Sequence, residues 1–219
     1  MRIGFVGSGR LGQALAKRLV AAGHDIMISN SRGREAVLQT AQDIGCQAGS
    51  ASEAARFGDI VVVSVPLSAF ALLPVEAIGE RIVVDTCNYY PTRDGVRPEL
   101  ENGGETTSSL LQKTLPKAVV VKAFNSVLAS HLARGGVATP DGERHALPIA
   151  SDDPAAGAIV GKLVEDAGFA SVFSGPIVES WRFERARPGY CRALSAAMLR
   201  QVLAETQRSD FVTEGSWRS

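Results

Sequence analysis

Residues 2–12 read Arg2-Ile3-Gly4-Phe5-Val6-Gly7-Ser8-Gly9-Arg10-Leu11-Gly12, a short apolar run that breaks into glycines before a new pattern begins. The first five have the length and partial β-branching of a buried parallel strand. From Arg10 to Ala22, Leu11, Leu15, Leu19 and Val20 recur at helical spacings, and Gly23 supplies a C-cap. In the turn between them, Gly7 permits the reversal, Gly9 leaves room for the backbone to approach a pyrophosphate, and Gly12 lets the helix pack closely on the strand. The first amides of that helix lack intrahelical partners and can receive negatively charged oxygens. A glycine pattern alone is a weak motif. Its place between a strand and a helix makes it a dinucleotide-binding turn rather than a purely structural one.

Working outward, the pattern continues as alternating strand- and helix-sized segments. Asp25–Ser29 is a second strand, Glu35–Ile44 a helix, 46–48 a weak third strand and Ser52–Phe57 a brief crossover helix. Asp59–Val65 reads as a central strand that Pro66 ends. A helix over Ala69–Ile78, a strand over Arg81–Asp85, a helix over Thr107–Gln112 and a strand over Ala118–Phe124 follow. His145–Ala150 reads as a strand at an edge or bulge because of Pro148. Pro154 opens a helix to Ala167, Phe169–Phe173 is a last strand, and Tyr190–Gln207 is a terminal helix with Leu194, Met198, Val202 and Leu203 on its apolar face. The expected class is α/β: a Rossmann-type, mostly parallel sheet with flanking helices and a small C-terminal helical appendage. The expected division is 1–175 for the nucleotide-binding domain and 176–219 for the appendage, with 207–219 a frayed tail or an arm that covers an oligomer partner.

The end of the second strand sets cofactor choice. An acidic residue there would receive the ribose diol of NAD, but the turn holds Asn30, Ser31, Arg32 and Gly33, followed by Arg34. A serine hydroxyl and arginines suit the 2′-phosphate of NADP(H) instead. Asp25 comes too early for the ribose role and reads as a strand-edge charge.

Composition narrows the remaining classes. With 219 residues, 45% of them hydrophobic and 21% charged, the chain can bury one main core. Equal totals of 23 basic and 23 acidic residues give no global electrostatic case for nucleic acid or an anionic membrane. The start of the chain reads neither as a signal peptide nor as a membrane span, so a cytoplasmic protein is the expectation. Cys46, Cys87 and Cys191 are far apart and form no metal-ligand spacing, and no metal is expected.

With the GSGRLG opening, the SNSRG turn, the VVVSVP and VVKAFN segments and the RFERARPGYCRAL region together, the sequence resembles the F420-dependent NADP reductase family. It is more distantly similar to the cytoplasmic oxidoreductase domains of membrane metalloreductases. The resemblance implies NADP(H) at the carboxyl ends of a parallel sheet and hydride transfer to or from a deazaflavin or flavin-like ring, F420 or a flavin serving as a small redox substrate. On this chain it implies Gly7, Ser8, Gly9, Arg10, Leu11 and Gly12 at the pyrophosphate, Asn30, Ser31, Arg32 and Arg34 at the 2′-phosphate turn, and Val65 and Pro66 along the cofactor. Ser64 and Leu67 are weaker candidates. Phe124 and Asn125 are candidates for the nicotinamide or acceptor pocket; Lys122 is a strand-edge cation or a group favouring an anionic ring. Hydride transfer between cofactor rings needs alignment more than a proton-relay triad, so no catalytic residue is assigned.

Of the histidines, His24 and His145 read as structural and His131 as a second-site candidate. The aromatic and cationic segment Trp181–Tyr190 could enclose an anionic acceptor or simply pack the terminus. Two other readings stay open. A reductase of small carbonyls or imines would need a polarising donor, and the sequence nominates none; a noncatalytic NADP-binding sensor would keep the glycines and Arg32 but lack an acceptor pocket. A homodimer is the expected assembly.

Overall fold

The computed structural model describes residues 1–218. One eight-stranded sheet runs in the order β3-β2-β1-β4-β5-β6-β7-β8. Its strands are β1 (Arg2–Val6), β2 (Asp25–Ser29), β3 (Gln47–Ala48), β4 (Ile60–Val63), β5 (Ile82–Asp85), β6 (Val119–Lys122), β7 (Ala146–Ser151) and β8 (Ala170–Phe173). All neighbouring pairs are parallel except β6–β7. The helices are α1 (Arg10–Ala21), α2 (Leu38–Ile44), α3 (Ala51–Phe57), α4 (Val75–Ile78), α5 (Pro91–Asp94), α6 (Pro98–Glu101), α7 (Thr107–Thr114), α8 (Ala129–Arg134), α9 (Pro154–Asp166) and α10 (Ala196–Glu205).

Alternation along the central strands builds a core on each face. Ile60, Val62, Val84 and Val121 join Ile3, Phe5, Leu15 and Leu19 on one side; Val61, Val63, Val83 and Val120 join Leu67, Ile78 and Leu111 on the other. Successive strand side chains point to opposite faces, so a fully apolar strand serves two helical layers at once. At Gly4 there is no room for a side chain, because a Cβ would stand 1.8 Å from the carbonyl oxygen of Ala54 on α3. The chain reverses direction across the sheet between β1 and β4, and a crevice opens at the carboxyl ends of these strands.

Several segments depart from the sequence expectation. The helix expected over 69–78 is a 3-10 turn (Leu67–Leu72) followed by α4, because Pro74 interrupts it. The terminal helix starts at Ala196, capped by the Ser195 hydroxyl, and residues 190–194 approach it as irregular chain. Strand β7 is internal rather than at an edge. It tolerates Pro148 because its β8-facing groups lie at odd positions: the carbonyls of His145 and Ile149 accept from Ala170 and Ser174. On the proline side, the Ala146 amide pairs outside the sheet, with the Leu194 carbonyl. β6 ends at Lys122, short of Phe124, which adopts φ of 58°.

The segment after α10 folds back on its own chain within the described residues. The Val212 amide donates to the Ala186 carbonyl, Arg187 donates to the carbonyls of Arg208 and Asp210, and Trp217 packs edge-on against Tyr190 at 5.2 Å. It is therefore neither frayed nor a free arm over this stretch.

Candidate functional site

The turn after β1 is tightly packed and leads into a helix start with no side-chain cap. A Cβ at Gly7 would stand 2.2 Å from the Ser64 carbonyl oxygen, and its φ of +106° belongs to glycine. Gly12 is similarly tight, with a Cβ 2.9 Å from the Gly7 carbonyl oxygen, so α1 rides close over the turn. Gly9 differs: a Cβ there meets nothing within 4 Å. It is the N-cap of α1, contributes no side-chain cap, and the first turn carries no acidic residue. The first amides of α1 thus have no side-chain cap and can receive an anion. Gln13 braces the loop by donating from Nε2 to the Ser8 carbonyl at 2.7 Å.

At the end of β2, Asn30 Oδ1 accepts from the Arg32 amide at 2.9 Å and closes a small turn. Ser31, Arg32 and Arg34 are exposed there. Among the described residues neither Arg32 nor Arg34 forms an ion pair.

A cleft of about 560 Å³ opens at the carboxyl ends of the sheet. It brings together Gly9, Arg10, Leu11, Ser64, Val65, Pro66 and Asn125. Gly7, Ser8 and Gly12 support this wall from the same turn, whereas Asn30, Ser31, Arg32 and Arg34 lie outside the cleft, one strand further along. Phe124 does not reach it; the side chain is buried in the core cluster below. Its left-handed backbone instead turns the chain so that Asn125 faces the opening.

Asn125 is 2% exposed, donates from Nδ2 to the Phe183 carbonyl at 3.0 Å and to Asn88 Oδ1 at 3.2 Å, and leaves Oδ1 without a partner. A buried, unpartnered acceptor at a cleft wall is costly unless a ligand donor meets it.

Lys122 has another role than a strand-edge cation. Both it and Asp85 are fully buried, their side chains pair at 3.0 Å, and Ser108 Oγ donates to the same carboxylate oxygen at 2.7 Å. Lys122 also donates to Thr107 Oγ1, which donates on to Glu184. This network clamps β5, β6, α7 and the chain near Glu184 together directly behind the cleft.

The far wall is one that the sequence reading missed. Thr86, Cys87, Asn88, Tyr90 and Arg93 follow β5, and Tyr190, Cys191 and Trp217 come from the C-terminal part. The run after β5 carried a legible signal, because it leaves the carboxyl end of a central strand just as Val65 and Pro66 do. Tyr190 ends the aromatic and cationic segment that the sequence offered for an acceptor, whereas Trp217 had no local signal and tertiary folding alone brings it here. Burial pushes the Tyr190 phenol well above its ordinary range and Cys191 up to about 12, so both stay protonated.

Of Trp181–Tyr190, only Tyr190 lines the cleft. Trp181 is buried under the guanidinium groups of Arg182, Arg187 and Arg208, at 4.6, 5.1 and 4.5 Å, which is terminal packing. His131 lies in a neighbouring cavity behind Tyr190.

Residues 2–89 match the family model described as NADP oxidoreductase, coenzyme F420-dependent. Protein YjhV of Escherichia coli K12 is 48% identical over 62 residues, 27% of this chain and 45% of that protein, so the chain spans under half the length of this curated relative. Among solved structures, the hypothetical protein SMa0349 of Sinorhizobium meliloti is 28% identical, with a TM-score of 0.76 over 89% of this chain and 95% of that one. A protein of Arthrobacter sp. FB24, proposed to be an F420-dependent NADP reductase, is 24% identical with a TM-score of 0.71 over 83% and 87%. Residues 2–89 thus resemble the domain that this family model describes. No helix among the described residues is long and apolar enough to cross a membrane.

Proposed function

We propose that the chain binds NADP(H) from the β2 turn across α1 into the cleft, and exchanges hydride there with a deazaflavin- or flavin-like ring. The observation that carries this reading is the unpartnered, buried Oδ1 of Asn125, a residue that lines the cleft together with Gly9, Arg10 and Leu11 of the glycine turn. The nicotinamide carboxamide offers the N–H donor that this oxygen lacks. The amides at the start of α1 hold the pyrophosphate, and Ser31, Arg32 and Arg34 hold the 2′-phosphate. Leu11, Val65, Pro66 and Val127 exclude water along the cleft wall. When bound, the nicotinamide supplies or takes up the hydride; the protein aligns the acceptor beside it.

Cofactor binding and turnover give separate tests. Arg32→Ala is expected to weaken NADP(H) roughly 10- to 100-fold, the range for losing a charge-assisted phosphate contact, and to leave NAD(H) nearly unchanged. Equal effects on both cofactors, by fluorescence titration, would remove the proposed phosphate contact. Turnover is measured as NADPH oxidation with F420, FMN and FAD. If NADPH binds and none of the three accepts electrons, this acceptor class is wrong. Self-association belongs to the same proposal, and a mass in solution that stays monomeric at every concentration rejects it.

A further inference from the structure

A row of polar groups crosses the far end of the cleft, and ring-to-ring hydride exchange makes no use of its order. Asn88 Nδ2 donates to the main-chain oxygen of Asn125 at 2.8 Å and to the Tyr190 hydroxyl oxygen at 3.3 Å. A main-chain carbonyl only accepts, which fixes the orientation of the Asn88 amide. The Tyr190 oxygen must then act as acceptor toward Asn88. The Tyr90 hydroxyl lies 3.2 Å from it, and either phenol can be the donor between them. In the arrangement in which Tyr190 donates, the Tyr90 proton is free to be donated onward. Tyr190 is buried, Tyr90 is half-buried, and both line the cleft with Asn125. In that arrangement the row runs from Asn88 through Tyr190 to Tyr90 and into the space where an acceptor would lie.

Cation–π contacts hold the Tyr90 ring in place. The guanidinium groups of Arg93 and Arg185 stand 4.7 and 4.8 Å from the centre of its ring. Each guanidinium is also ion-paired, Arg93 with Asp94 and Arg185 with Glu214. Arg93 is itself held in place by two hydrogen bonds to Asp94, at 3.0 and 2.8 Å.

We propose that Tyr90 is the proton donor for reduction of a small aldehyde, ketone or imine in this cleft, with Tyr190 and Asn88 as its positioning residues. The proposal rests on the NADP(H) part of the preceding reading and on no flavin. NADPH is the reductant: its hydride forms the new C–H bond at the carbonyl or imine carbon. The π pair of the C=O or C=N bond moves to the heteroatom, which takes the Tyr90 proton. Tyr90, now a phenolate, regains its proton from solvent, while Tyr190 stays protonated and holds the Tyr90 oxygen in place. The products are the alcohol or amine and NADP+.

The test uses the full chain with 2-oxobutyrate, cyclohexanone and 1-pyrroline as probes. Wild-type protein is expected to oxidise NADPH with at least one of them, and Tyr90→Phe to lower kcat roughly 100-fold with NADPH affinity kept within about twofold. Tyr190→Phe is expected to give a smaller loss and serves as the second variant should Tyr90→Phe not fold. A readout without cofactor or turnover is the carbonyl 13C resonance of labelled cyclohexanone. It should move downfield with wild-type protein, as a hydrogen-bonded carbonyl does, and stay put with Tyr90→Phe. No turnover with any of the three probes, or an unchanged kcat in Tyr90→Phe, overturns the proposal. Where NADPH binds and a flavin oxidises it while all three probes are inert, only the proton donor falls. Where NADPH fails to bind, the cofactor reading falls with it.

Discussion

Gly7 and Gly9 are two residues apart, share one turn and are fixed by different things. Gly7 answers to the fold: its φ of +106° and the Ser64 carbonyl leave no place for a side chain. Gly9 has φ of −69° and ψ of 178°, values open to any residue, and faces empty space within the protein. On the proposed reading, what forbids a side chain at Gly9 is the bound pyrophosphate. Gly7→Ala should therefore destabilise the protein, by about 2 kcal/mol or more in urea unfolding. Gly9→Ala should keep wild-type stability and lose NADPH affinity, by roughly 10-fold where a methyl group holds the pyrophosphate off the amides. Equal stability loss in both variants would mean that Gly9 is a structural glycine after all.

Elements whose residues carry a local instruction were legible from sequence, and those set by a distant partner were not. β1, α1 and β2 each combine an apolar pattern with a turn signal, a glycine directly after β1, a glycine C-cap for α1 and the Asn30–Gly33 turn after β2, and the fold places them as expected. β6 shows the other case. Its run of valines is unmistakable, but Lys122 at its end gives no sign in sequence of the carboxylate it meets, because Asp85 lies on β5 and register alone brings them opposite. The same limit hid Trp217 from the candidate site. At the joint of β5, β6 and α7, losing one partner strands a charge away from water. Lys122→Met is expected to lower unfolding stability by about 3–5 kcal/mol, the usual effect of breaking a fully buried pair. Lys113, whose pair with Glu105 sits at the surface, is the comparison: Lys113→Met should change stability by about 1 kcal/mol at most. Chemical denaturation of the two variants measures the difference, and similar values would show that the buried clamp contributes no more than a surface pair.

Across the whole molecule, the C-terminal part acts as a structural wall for the nucleotide-binding part. We propose residues 1–175 as the nucleotide-binding domain and 176–219 as an appendage that folds only on it. Phe183, Leu194, Leu199 and Leu203 cover Ala146, Ala150 and Val172 of β7 and β8, so neither side of this core is complete alone. Polar contacts cross the same boundary near the cleft: Asn125 to the Phe183 carbonyl, Thr107 to Glu184, Ser126 to the Gly189 carbonyl. Removing residues 176–219 would expose that apolar face and also release Asn125 and Thr107 from partners that position them. The intact chain should melt in a single transition, with tryptophan fluorescence, which reports on the appendage through Trp181 and Trp217, and far-ultraviolet circular dichroism, which reports on the sheet and helices, giving the same midpoint. A 1–175 fragment should lose cooperative melting and NADPH binding together. Two separate transitions in the intact chain, or a fragment that melts sharply and still binds NADPH, would show that the nucleotide-binding domain stands alone and that the far wall of the cleft is dispensable to it.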